Sequence, residues 1–206
     1  PASEYESIRK SGKIAITLKE GDELISIFKT TGNDNIFLAT RNGMAICFNE
    51  NDARAVGRTA SGVKAIDLAD GDYVVGAEPV REDSKVLLVT DGGYGKCTDL
   101  TSFRIQHRGG KGLKAYKITE KTGNIIGISM VNDSEELIMV TSEGVVIRIR
   151  IKDIATTTGR ITQGVRLINL NDGVIVVSMD KISAEDTVEE ESEENNTEVT
   201  AETTEE

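Results

Sequence analysis

The segment Gln106-His107-Arg108-Gly109-Gly110-Lys111-Gly112 sets three glycines among an arginine, a lysine and the only histidine of the chain. Glycines let a backbone approach a ligand closely and adopt positive φ, while arginine and lysine supply charge-assisted hydrogen bonds to phosphate oxygens. This combination predicts contact with a nucleic-acid backbone, not catalysis. His107 has no serine or cysteine with an assignable partner, and Glu135-Glu136 reads as a solvated turn. One histidine and two cysteines give a zinc site no support. Four Phe, four Tyr and no Trp offer little for stacking single strands, so duplex phosphate is the expected ligand.

Such a loop needs a scaffold, and the scaffold is a repeat. GRTASGVKAIDL from Gly57, HRGGKGLKAYKI from His107 and GRITQGVRLINL from Gly159 align without gaps, spaced by 50 and 52 residues, and SGKIAITL from Ser11 is a partial earlier copy. Within the best repeat, four short apolar or alternating runs cover Val86 to Thr90, Tyr94 to Thr98, Leu113 to Ile118 and Ile125 to Val131. Each is too short for a helix, and Asp91-Gly92-Gly93 is a hairpin turn signal matched by Arg41-Asn42-Gly43 and Ser142-Glu143-Gly144. Four strands per repeat of about 50 residues predict an all-β, propeller-like array of antiparallel blades. The expected divisions are a partial blade over 1–32, blades over 33–82, 83–131 and 132–182, and about 14 strands in all.

The connection between the second and third runs is long in every copy, which marks it as functional. It carries Arg54 and Arg58 in the first full repeat, Arg104, Gln106, Arg108 and Lys111 in the second, and Arg150, Lys152 and Arg160 in the third. Lys64, Lys114 and Arg166 follow at one common position, and Lys96 falls in the same basic stretch as Arg104 to Lys121. Stacked blades would line these loops along one edge. Cys47 and Cys97 occupy equivalent positions 50 residues apart, too far for a bridge between blades, so two free thiols are expected, as in a reducing compartment.

The formal net charge of −11 at first argues against nucleic acid. Eleven of the 35 carboxylates, however, lie in 183–206 with no Lys or Arg, which leaves 24 acidic against 24 basic residues in 1–182. The terminal run has too little apolar surface to order itself, so a disordered acidic tail is predicted. It either competes with DNA for the basic loops or simply solubilises. No run of 18 apolar residues suggests a membrane span.

QHRGGKG closely resembles the QRRGGKG-type box of the C-terminal DNA-wrapping domains of bacterial DNA gyrase A subunits, and GRTASGVKAI and TTGRITQGVRLI look like later repeats of that family. The likeness covers residues 5 to 182, and an acidic tail is common in the family. It implies a β-pinwheel whose neighbouring blades exchange strands, with duplex DNA bent around a basic rim that includes Gly109, Gly110, Gly112 and Arg148. It also implies no catalytic residue here. Tyr5, Tyr73, Tyr94 and Tyr116 do not resemble the topoisomerase nucleophile, with Tyr73 and Tyr116 read as packing residues. ATP and Mg2+ would act elsewhere in a cytoplasmic, nucleoid-associated A2B2 holoenzyme that contains the breakage-reunion domain and gyrase B. Since a basic residue is frequent at the Cys47 and Cys97 phase, the resemblance implies a track thinned on two blades and kept by Arg148.

Two departures matter. His107 replaces a usually basic residue, and at least two repeats precede a box that the family places in its first blade. Either the principal box lies upstream of Pro1 in a longer parent, making this roughly the second half of a wrapping domain, or the placement is unusual. The topoisomerase IV counterpart and a kelch-like protein-binding propeller are the alternative readings.

Overall fold

Glycine sets the turn of each hairpin. In the computed structural model, which describes residues 2–7 and 10–183, β1 (Asn35–Thr40) turns into β2 (Met44–Asn49) through Gly43 at φ 85°. Following β3 (Val74–Pro79), β4 (Lys85–Thr90) turns into β5 (Tyr94–Asp99) through Gly93 at φ 76°. β6 (Leu113–Lys114) and β7 (Ile125–Val131) precede the third hairpin, β8 (Glu136–Thr141) and β9 (Val146–Arg150), which turns through Gly144 at φ 80°. β10 (Thr156–Thr157), β11 (Val165–Arg166) and β12 (Val176–Ile182) complete the described strands. A threonine closes every hairpin. The hydroxyls of Thr40, Thr90 and Thr141 accept from the N–H of Met44, Tyr94 and Val145 at 3.1–3.2 Å.

The fourth run of each repeat returns antiparallel to the first, β3 on β1, β7 on β4 and β12 on β8, each through a register shift. The third run does not join its own sheet. β6 pairs with β2 of the preceding repeat (Ala45 opposite Leu113), and β11 pairs with β5 (Gly95 opposite Val165). The sheets therefore read β3-β1-β2-β6, then β10-β5-β4-β7 with β11 also on β5, then β12-β8-β9. β10 runs parallel to β5, a departure from purely antiparallel blades.

Exchange corrects two expectations. The predicted strand over 113–118 pairs for only two residues before Ala115 and Tyr116 bury into the first core. Twelve strands are described, not about 14, and 2–7 and 10–32 contain a 3₁₀ turn at Ala2–Tyr5 and no strand. In the register set by β6 and β11, 12–18 and 62–68 would each need the second strand of an earlier repeat. Neither segment is a strand among the described residues, and Ile14, Leu24, Ile25 and Ile27 are exposed.

Apolar layers between blades hold the array together. Phe37, Ala39 and Cys47 meet Val86, Leu88 and Met130 in one layer, where Phe37 and Phe103 stack edge to face at 4.9 Å. Leu87, Val89 and Cys97 meet Leu137, Met139 and Ile151 in the next. The second sheet is thus covered on both faces, which is why 86–89 is a continuous apolar run and not an alternating one. A polar knot ties the inner strands. The Glu78 carboxylate on β3 accepts from Ser129 Oγ and Met130 N of β7 and from Lys181 Nζ of β12 at 2.9–3.2 Å. Among the described residues no helix is long and apolar enough to cross a membrane.

Candidate nucleic-acid interface

Each second strand runs into a 3₁₀ turn, Glu50–Asp52, Leu100–Ser102 or Ile151–Asp153, so the long loops are not structureless at their start. The Asn49 and Asp99 side chains cap the first two turns, accepting from Asn51 N and Thr101 N. The Thr101 hydroxyl and N–H hold the Asp99 carboxyl below the usual carboxylate range.

Beyond the turn, each loop lies over its predecessor. Arg108 Nε donates to Asp52 O at 2.8 Å and one terminal nitrogen donates to Lys64 O at 2.9 Å. Arg160 donates in the same way to Lys114 O at 3.3 Å, and Arg58 to Ile14 O. Ile14, Lys64 and Lys114 are themselves equivalent positions. The recurring arginine therefore stitches each loop to the one before it. Its recurrence has a structural cause, and the guanidinium retains N–H groups for a further acceptor. Gly109 N donates to Ala65 O at 2.6 Å and Asp67 N to Gly110 O at 2.8 Å, so the Gly109 amide expected to be unshielded is already engaged.

The sequence-predicted cations separate into groups. Arg54, Arg104, Lys111, Lys114 and Lys152 are exposed, and none forms an ion pair among the described residues. Lys64 pairs with Asp67 at 2.9 Å, which together with Lys111 keeps the Asp67 carboxyl low, and Arg150 pairs with Asp153 at 2.8 Å. Arg166 donates to the Tyr94 hydroxyl at 2.9–3.0 Å and to Asn169 at 2.9 Å, which together with Lys121 lowers the Tyr94 phenol from its ordinary value. Gln106 turns inward, its side-chain nitrogen buried with no acceptor among the described residues. His107 is almost fully exposed, with Nδ1 at 3.3 Å from Asp52. Gly112 passes the first sheet so closely that a Cβ would meet Ala45 O at 2.4 Å.

Several expectations are corrected. Arg148 alternates along β9 with Ile147 and Ile149, which pack on the second core, so it projects from the opposite face and pairs there with Glu136. Lys96 is fully buried, not on the basic surface. Cys47 and Cys97 are free but buried, their thiols pushed up to about 11, so they lie beneath the surface and thin no track. Glu135 is buried and bound by Asn132 N and Arg81, not solvated. Tyr73 is exposed beneath Arg41, whereas Tyr116 is buried as expected.

A family model described as DNA gyrase C-terminal domain, beta-propeller, matches residues 1–31, 34–81, 84–132 and 135–183 in succession. The chain belongs to this family. Gyrase family members similar to it include the DNA gyrase A protein of Halalkalibacterium halodurans, 58% identical over 184 residues that make up 89% of this chain and 22% of that protein. The Ureaplasma parvum gyrase A protein is 46% identical over 82% of this chain and 20% of its own length. The chain thus spans about a fifth of the curated relatives it matches. Among solved structures, the C-terminal domain of DNA topoisomerase IV superposes with TM-score 0.84 at 27% identity, covering 95% of this chain and 61% of that one. A DNA gyrase A C-terminal domain superposes with TM-score 0.74 at 27% identity, covering 84% and 59%. The fold of this gyrase family member is the expected β-pinwheel.

Sequence reasoning left Lys117 and Lys121 out of the interface. Both are exposed, and Lys117 continues the edge begun by Lys111 and Lys114, with Lys121 Nζ 5.5 Å from the Tyr94 ring centroid. The signal was available in the repeat alignment. Lys117 stands where the first repeat has Asp67 and the third has Asn169, so the second repeat alone is cationic at both positions.

Proposed function

We propose that this chain is a non-catalytic DNA-wrapping module of a type II topoisomerase, the gyrase A protein, which bends duplex DNA around the edge formed by its overlapping loops. The observation that carries the reading is the edge itself. Loops stitched one onto the next bear Arg54, Arg104, Lys111, Lys114, Lys117 and Lys152, all exposed and without a carboxylate partner among the described residues. Bending 20–30 base pairs by 40–90° costs on the order of 1–6 kcal/mol, which cationic contacts offset by releasing counterions. Arg58, Arg108 and Arg160 contribute their remaining N–H groups while holding the loops together. Contacts to phosphate without base readout make the binding tolerant of sequence. In the holoenzyme, breakage and rejoining, ATP and Mg2+ belong to the breakage-reunion domain and gyrase B, in a cytoplasmic assembly on the nucleoid. The likeness to the topoisomerase IV domain supports the second reading, in which the same edge binds DNA without a chiral wrap.

Ligating nicked plasmid in the presence of the protein separates the two. A shift in linking number is expected, both for this chain and for the longer protein run alongside. Retardation of the plasmid with no shift from either overturns wrapping.

The acidic run from 184 to 206 lies outside the described residues. Its eleven carboxylates compete with DNA for the loops in our reading. Deleting it raises duplex affinity, most of all at low salt where screening is weakest. Equal affinities at every salt concentration would reduce it to a solubilising tail.

A further inference from the structure

Lys96 stands where the first and third repeats carry Ile46 and Ile147, each on the second strand of its hairpin. Isoleucine fits that position twice, so burying a cation there needs a reason in what its head group holds. The Lys96 side chain is 0% exposed, and no carboxylate pairs with it among the described residues. Its ammonium donates to Gly159 O at 3.3 Å, to Arg160 O and to Thr162 Oγ1 at 3.2 Å, and lies 5.2 Å from the Tyr116 ring centroid. All three acceptors belong to one loop of the following repeat.

That loop keeps only part of its counterpart's fastening. The second repeat holds its loop down with two Arg108 bonds and two backbone bonds through Gly109 and Gly110. In the third, Ile161 and Thr162 replace those glycines: Lys117 N still donates to Thr162 O at 3.0 Å and the Tyr116 hydroxyl to Gln163 O at 2.6 Å, but Ile161 N makes no backbone bond among the described residues and Arg160 makes a single bond, to Lys114 O. Lys96 adds a hold from beneath.

We propose that Lys96 is a positioning residue for duplex binding, fastening loop 159–162 so that Arg160 stays on the cationic edge, without itself touching DNA. The proposal rests on the DNA-binding reading above. Burial, with Arg160 adding to it, lowers the Lys96 ammonium to about 8. The charged and titratable groups facing it are Arg160 and Tyr116, and burial raises the Tyr116 phenol, which stays neutral in this range. Two readouts should then move in opposite directions as pH rises through about 8. The loop loses its charged fastening and affinity falls. The fold, which binds fewer protons at Lys96 than the unfolded chain does below the ordinary lysine value of 10.5, becomes more stable.

Wild type, Lys96→Ile, Arg160→Ala and the double variant test this, with Lys96→Met measured in parallel as a second apolar replacement. Lys96→Ile is expected to speed exchange of the Lys117 amide, which donates to Thr162 O, by about tenfold with no fall in thermal midpoint. Duplex affinity should drop about fivefold in either single variant and no further in the double, since both act through one contact. The fall in affinity between pH about 7 and about 9.5 should be present in wild type and absent from Lys96→Ile. Unchanged protection of the Lys117 amide, or losses that multiply in the double variant, overturn the proposal. If wild type binds no duplex, the reading beneath it fails, and exchange at the Lys117 amide alone still decides whether Lys96 fastens the loop.

Discussion

Replacing Lys111, Lys114 and Lys117 together with alanine lowers duplex affinity by about two to three orders of magnitude near ~0.1 M salt, and reduces the log-log salt slope by about 2.7. The expectation follows from where the three ammonium groups sit. β6 hangs on β2 at the outer edge of the first sheet, and Ala115 and Tyr116 are buried beneath it, so Lys114 and Lys117 are turned outward on an anchored backbone. Lys111 precedes them in the loop, close enough to Asp67 to lower its carboxyl, and none of the three forms an ion pair among the described residues. The first repeat is the internal contrast. Lys64 and Asp67, at the positions of Lys114 and Lys117, bind each other at 2.9 Å, so Lys64→Ala changes the slope far less. All three side chains are exposed, so the thermal midpoint of the triple variant stays near that of wild type. A slope unaltered by the triple replacement would remove this edge from the contact surface. Arg108→Ala behaves differently. It removes at most about one phosphate contact from the slope, while leaving Asp52 O and Lys64 O without their donor and lowering stability.

The second large effect concerns strand exchange. Gly112 and Gly164 have φ of 72° and 69°, and a Cβ on either would meet a carbonyl oxygen of the neighbouring blade at 2.4 Å (Ala45) or 2.3 Å (Gly95). At Gly164 the Tyr116 hydroxyl is 2.8 Å from the same point. Alanine there combines a left-handed backbone with a contact that only a backbone shift can relieve, at a cost of about 3–4 kcal/mol. Gly12 and Gly62 are equivalent in sequence and have φ of 79° and 81°, yet nothing lies within 4 Å of their Cβ positions. Alanine at those two positions costs about 1 kcal/mol from the backbone term alone. Urea denaturation of the four single variants measures the difference. Equal costs at all four would mean that the exchanged strands need no close approach.

Much of this was readable from local pattern. The hairpins at Gly43, Gly93 and Gly144 follow from turn chemistry, and the short runs at 86–90 and 94–98 are strands as expected. The third run was harder. Its apolar residues are genuine, but Leu113 to Ile118 packs and pairs on a sheet made by residues some 70 positions earlier, and local periodicity carries no information about which sheet accepts it. The same limit explains Lys96. A lysine in a basic stretch reads as a surface charge, and only the arrival of Gly159, Arg160 and Thr162 over β5 makes it interior. Arg148 reads as the counterpart of Cys47 and Cys97, which it is in register. No further blade covers its face of the third sheet among the described residues, so an interior position became an exposed one paired with Glu136.

The sequence by itself determined the repeat and its period of about 50, the hairpin turns, the family, and the confinement of the excess negative charge to 183–206. Each is a property of residue order along the chain. The tertiary structure alone decided which cations face outward, because exposure depends on what the neighbouring blade lays across a strand. Exchange brings residues about 45 to 65 positions apart into contact, turning Lys96 inward and making Arg58, Arg108 and Arg160 stitches between loops. Lys111, Lys114 and Lys117 remain as the exposed edge.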